Sequence, residues 1–71
     1  MRFDFSKLRG RMVEYYGTLA AFAKAYGISE NSLSLKMNNK TKFSSGDIIK
    51  ISEMLEIKKD EIGDYFFKTK V

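Results

Sequence analysis

The sequence predicts an all-α domain of five helices, on three observations. Apolar residues recur at helical spacing through most of the 71 residues. No segment sustains the period-2, β-branched alternation of a strand. Cap residues and glycines divide the apolar stripes into short pieces. There is no proline, no repeat, no low-complexity tract and no linker, so residues 1–71 are read as one domain with one small core.

The first helix begins near Asp4, a good N-cap residue. Phe3 before it and Leu8 within it are placed to form a hydrophobic staple. Phe5, Leu8, Met12 and Tyr16 make one stripe, with Val13 beside it. Gly10 costs about 1 kcal/mol relative to alanine inside a helix and marks a place where another helix can approach closely. Gly17 ends the element.

Thr18 caps the second helix, because its hydroxyl can accept from a free N–H of the first turn. Leu19, Phe22, Ala23 and Tyr26 form its apolar face, and Gly27 provides a left-handed stop. Ser29 caps the third helix, whose buried side carries Leu33 and Met37. That helix stops near Asn38, with Asn39 suited to the left-handed position beyond it. Lys40-Thr41-Lys42-Phe43 is then a basic loop with Phe43 turned inward. Ser44 and Asp47 fit a capping box for the fourth helix, lined by Ile48, Ile51 and Leu55 and flanked by Ile49 and Met54. Ile57, Ile62, Tyr65 and Phe66 mark a short fifth helix and its exit.

The second and third helices carry the functional signal. Ala23 lies four residues before Gly27, an apolar residue follows at +1, a capping serine at +2 and Leu33 at +6. This is the spacing of a DNA-binding helix-turn-helix, though ordinary helical hairpins also use a turn glycine. Charge agrees with the reading. Residues 1–43 carry eight basic and three acidic side chains, or +5, while residues 44–71 carry −1. A basic half suits phosphate, or is a solvated surface.

Helical geometry selects the exposed side of the third helix. Asn31, Leu35 and Asn38 lie opposite Leu33 and Met37, with Ser34 and Ser32 at the flanks. Asparagine can pair with adenine N6 and N7, and Leu35 can pack on a thymine methyl or stand as a lone exposed leucine. Thr18 and Ser29 add hydroxyls to the free N–H groups at two helix starts, which favours phosphate there. Lys36, Lys40 and Lys42 extend from the third helix into the loop as further phosphate candidates or solvated lysines.

Together these residues resemble the Cro/repressor class of phage-type regulators. Phe5 to Phe66 are covered, and Thr18 to Asn38 are the most specific part. The opening Phe3-Asp-Phe-Ser-Lys-Leu-Arg-Gly10 and the closing Asp64-Tyr-Phe-Phe67 are similar to small Cro-like proteins of phages and prophages of Gram-positive bacteria. The resemblance implies a five-helix, lambda-repressor-like DNA-binding domain with its helix-turn-helix at helices 2 and 3. It implies base contacts from Glu30, Asn31 and Ser34 and a phosphate contact from Asn38. Glu30 can instead complement the helix dipole.

The sequence departs from the class in three places. Leu19 stands where a phosphate-binding glutamine is common. Lys36 replaces an aliphatic, which comes one residue later at Met37. Asn39 and Glu56 stand where glycines commonly end helices 3 and 4, and Glu56 would be strained there.

Cysteine and histidine are both absent, which removes disulfides, thiolate chemistry, the usual general base and the usual metal ligand. No enzyme and no cofactor are expected. No run nears the ~20 apolar residues of a membrane span, and the N-terminus lacks a signal-peptide core, so no membrane partner and a cytoplasmic location are expected. The leading expectation is a Cro-like repressor that reads double-stranded operator DNA as a homodimer. The alternative is an antirepressor or modulator that keeps this fold and binds a partner repressor protein, with the aromatic tail Tyr65-Phe66-Phe67 as a dimer or partner contact, or as core closure.

Overall fold

A computed structural model describes residues 2–70. Its elements are α1 (Ser6–Tyr16), α2 (Leu19–Tyr26), α3 (Glu30–Met37), α4 (Ser45–Met54), a 3-10 turn (Lys59–Glu61) and α5 (Ile62–Phe66). The five predicted helices are all present. Leu8, Met12, Phe22, Leu33, Ile51, Leu55 and Phe66 are fully buried, so each of α1 to α5 sends a side chain into a single core, and the 3-10 turn sends none. Among the described residues no helix is long and apolar enough to cross a membrane.

α1 starts later than expected. Its N-cap position is Phe5, which makes no side-chain cap bond. Asp4 lies one residue earlier, and its Oδ1 accepts from the Ser6 N–H at 2.9 Å and the Ser6 hydroxyl at 2.6 Å. Those bonds from Ser6 hold the Asp4 carboxyl below its ordinary range. Phe3 forms an isolated antiparallel bridge with Thr69, and the Asp4 N–H donates to the Lys68 carbonyl at 2.6 Å. Asp4 thus bonds the first turn with its side chain from one residue outside the cap position, while its own N–H pairs with the tail. Gly10 is also not a crossing point, since a Cβ built there meets nothing within 4 Å.

The caps predicted for α2, α3 and α4 form. Thr18 Oγ1 accepts from Ala21 N–H, Ser29 Oγ from Ser32 N–H, and Ser44 and Asp47 bond reciprocally. Gly27 closes α2 in the left-handed region at φ 100°, and Asn39 and Glu56 adopt φ 63° and 54° after α3 and α4. Glu56 is the costlier of the two, because its side chain offers none of the local bonding that lets asparagine tolerate this region.

Two side chains distant in sequence complete helix ends. Arg11 Nε donates to the Leu55 carbonyl at 2.9 Å and its NH2 group to the Glu56 carbonyl at 3.2 Å, satisfying the end of α4. Lys50 Nζ donates to the Tyr26 carbonyl at 3.0 Å and lies 4.5 Å from the Tyr26 ring centroid, serving the end of α2.

Candidate functional site

The turn Gly27–Ile28–Ser29 presents α3 so that one side is core and the other is open. Leu33 and Met37 are buried, while Glu30, Asn31, Ser34, Leu35 and Asn38 are exposed and Ser32 is half-buried. The helix wheel therefore has the outward direction right, and Glu30 is exposed at the start of the same helix. Leu35 is 39% exposed at the middle of this face. Asn38 is partly committed: its Nδ2 donates to the Ser34 carbonyl at 2.9 Å and approaches Ser34 Oγ at 3.2 Å. Thr18 and Ser29 keep their hydroxyls on their own helix starts, where Ser29 Oγ also donates to Ser32 Oγ at 2.9 Å.

Lys36 points elsewhere. Its Nζ sits 3.2 Å from Asp47 Oδ2 and donates to the Lys42 carbonyl at 3.1 Å, with its side chain only 21% exposed. Its ammonium also lies 5.9 Å from the Phe43 ring centroid. The stem thus fills the place an aliphatic would take, and Asp47 neutralises the charge.

Asp47 is the hub of this border. It accepts from the Tyr26 hydroxyl, the Ser44 N–H and Lys36. Burial pushes its carboxyl upward, but these donors prevail and bring its pKa down to about 2. Tyr26 shifts the other way, to about 12, through burial first and its bond to Asp47 second.

Beyond α3 the chain turns through Asn39 and builds a second surface. Asn39 Oδ1 accepts from the Phe3 N–H at 2.8 Å, and its Nδ2 donates to the Phe3 carbonyl at 3.0 Å. The N-terminal arm is thereby held against the end of α3. Phe43 packs edge-on against Phe5 and Phe66 at 5.1 and 5.4 Å between centroids, and Phe3 against Phe67 at 5.9 Å. Lys40 and Lys42 are exposed beside these rings.

The predicted residues thus separate into groups. Glu30, Asn31, Ser34 and Leu35 share the outward face, Lys40 and Lys42 flank the aromatic surface, and Lys36 is tied between them. Sequence reasoning missed Arg11, Asn39 and Lys50 as tertiary bonding groups. Only the asparagine carried a local signal, its suitability for a left-handed position.

This five-helix chain belongs to the family described as "Protein of unknown function (DUF739)", whose model matches residues 1–69. Over its whole length it is similar to one solved structure in particular, the modulator of repression (MOR) of the temperate bacteriophage TP901-1 from Lactococcus lactis. The identity is 41%, the TM-score 0.84, and the match covers 100% of this chain and 96% of that one. No curated protein matches the chain.

Proposed function

We propose that this chain is a phage-type regulatory protein that modulates repression by binding a repressor protein through the outward face of α3. The reading takes its class from the similarity to a modulator of repression along the whole chain. The observation that carries it is the character of the face itself. Leu35 stands exposed among Asn31, Ser34 and Asn38, Glu30 opens the helix, and the one lysine of α3 is turned away and paired with Asp47. Such a face offers apolar contact and hydrogen bonds. It offers little of the charge that phosphate binding demands. The activity is non-catalytic, needs no cofactor and belongs in the cytoplasm.

The test is a sedimentation titration of the pure protein with the repressor encoded in the same genome. A stable complex is expected. Leu35→Asp should weaken it by about 2 kcal/mol or more, the level of an interface hot spot, with unchanged circular dichroism. Absence of any complex would sink the reading.

A second reading is a lambda-repressor-like Cro regulator with its helix-turn-helix at α2 and α3, and one observation favours it. The hydroxyl-capped starts of α2 and α3 lie within the half of the chain that carries +5. There Glu30, Asn31, Ser34 and Leu35 would read bases, and Thr18, Ser29, Asn38, Lys40 and Lys42 would hold phosphates; Lys36 would join only by leaving Asp47. It requires a homodimer on a pseudo-palindrome with half-sites about 10–10.5 bp apart. Duplex affinity would then fall by about 10³–10⁵ between 50 and 200 mM salt for on the order of 6–10 phosphate contacts.

A further inference from the structure

The aromatic surface beyond α3 encloses a groove of about 530 Å³, large enough for a bulky side chain and its flanking backbone. Its apolar lining includes the buried rings of Phe5 and Phe66 and the half-buried ring of Phe43, with Phe67 standing 53% exposed at one side. Every charged residue that lines it is a cation: Arg2, Lys40 and Lys42. Among the described residues none of these three forms an ion pair with a carboxylate. Arg2 is steered toward the groove by a weak bond from its guanidinium to the Asn38 carbonyl, at 3.4 Å.

These features select a ligand chemistry. An apolar cleft without a guest keeps hydrophobic surface in water, which filling it would remove. Unpaired cations around it favour a guest that carries negative charge beside its apolar group. A base-paired duplex supplies the charge but presents no apolar group that can enter a concave cleft. A polypeptide supplies both.

We propose that the groove docks an acidic segment of a partner protein. One aromatic or large aliphatic side chain enters beside Phe43 and Phe67, and carboxylates on either side of it meet Lys40, Lys42 and Arg2. The proposal rests on the reading of this chain as a protein-binding modulator and assigns a second contact to the same partner, next to the α3 face.

The test uses the full chain, isotopically labelled, titrated with a peptide of core Glu-Asp-Phe-Asp-Glu and followed by amide chemical shifts. Controls replace the peptide's Phe by Ser, or its acids by Lys. Shifts confined to residues 2–3, 38–43 and 66–68 are expected, with affinity at least tenfold above both controls. The double variant Lys40→Glu, Lys42→Glu and the separate variant Phe67→Ser should each lower it at least tenfold. Leu35→Asp should leave it unchanged. Equal binding of the three peptides, undiminished binding by both groove variants, or tighter binding of a single-stranded oligo-dT than of the acidic peptide would overturn the proposal. A repressor complex that Leu35→Asp abolishes, beside a peptide that never binds, removes the groove and leaves the modulator reading standing.

Discussion

The outward face of α3 and the groove at its far end lie next to each other and are built on opposite plans. The face comes from one short stretch, Glu30 to Asn38, and its side chains owe little to the rest of the fold. The groove draws on residues 2, 3, 5, 38–43, 48 and 66–67, and its rings other than Phe67 belong to the core or pack against it. A face of the first kind can change its contacts without changing stability. A groove of the second kind cannot, because its walls hold the N-terminal arm, the loop and the tail together.

The largest test of that difference is Phe43→Ala. It removes two edge-on ring contacts and should cost about 3 kcal/mol, the lower end for a buried phenylalanine because the ring is only half-buried. Leu35→Ala, on the face, should stay within about 0.5 kcal/mol. Thermal unfolding of the pair decides. Similar losses from both would mean that the face is structural after all.

Asn39 comes next. Asn39→Ala loses both bonds to the Phe3 backbone and places a Cβ without local bonding at φ 63°, at a cost of about 2 kcal/mol. Asn39→Gly keeps the backbone conformation and should lose about 1 kcal/mol, the bonds alone. Denaturant midpoints of the two variants separate the contributions. Identical midpoints would show that the left-handed conformation carries no strain.

The border between the regions responds to pH. The folded pKa of Asp47, about 2, is below its ordinary value of 3.8, so its contribution is complete above about pH 4 and is lost as pH falls toward 2. The amount is on the order of 2 kcal/mol at most. Tyr26 has the opposite sign. Its folded pKa of about 12 exceeds 10.0, so its contribution is complete below pH 10 and is lost as pH rises toward 12. In Asp47→Asn the acid loss attributable to this residue should vanish in a pH series of unfolding midpoints. An unchanged acid profile would move the origin of the effect to other carboxylates.

The smallest effect is expected at Ser52, in neither region. Its Oγ is buried and makes no hydrogen bond. Ser52→Ala should therefore change stability by about 0.5 kcal/mol or less, or raise it slightly, since no bond is lost. A clear loss by thermal unfolding would reveal a polar contact at this site.

The same division separates what could be read from the sequence from what could not. The caps at Thr18, Ser29 and Ser44, the stop at Gly27 and the inward pair Leu33 and Met37 depend on neighbours within about one turn, and all were legible. The start of α1 was legible only to within one residue, and the pairing of the Asp4 N–H with a tail more than sixty positions away had no local signal. Lys36 looked like its neighbours Lys40 and Lys42, and only the fold brings Asp47 to it across eleven positions. The groove had no local signature, since its cations and rings come from separate segments. Composition could register that basic residues were plentiful in the first 43 positions, but not which would meet a partner and which would meet a carboxylate.

The pairing of the arm with the tail has a consequence for the topology of the chain. Asp4 donates to the Lys68 carbonyl at 2.6 Å and Lys70 to the Arg2 carbonyl at 2.9 Å, so positions 2–4 and 68–70 run side by side in opposite directions. A peptide hairpin could join them with little rearrangement, turning the open chain into a ring. The ring could then be reopened in an exposed connection such as the one between α1 and α2. Such a rewired molecule keeps the arm, the tail and Phe67 in register through a covalent link. It also loses part of the freedom of its unfolded state, so closure should protect the groove and the fold together.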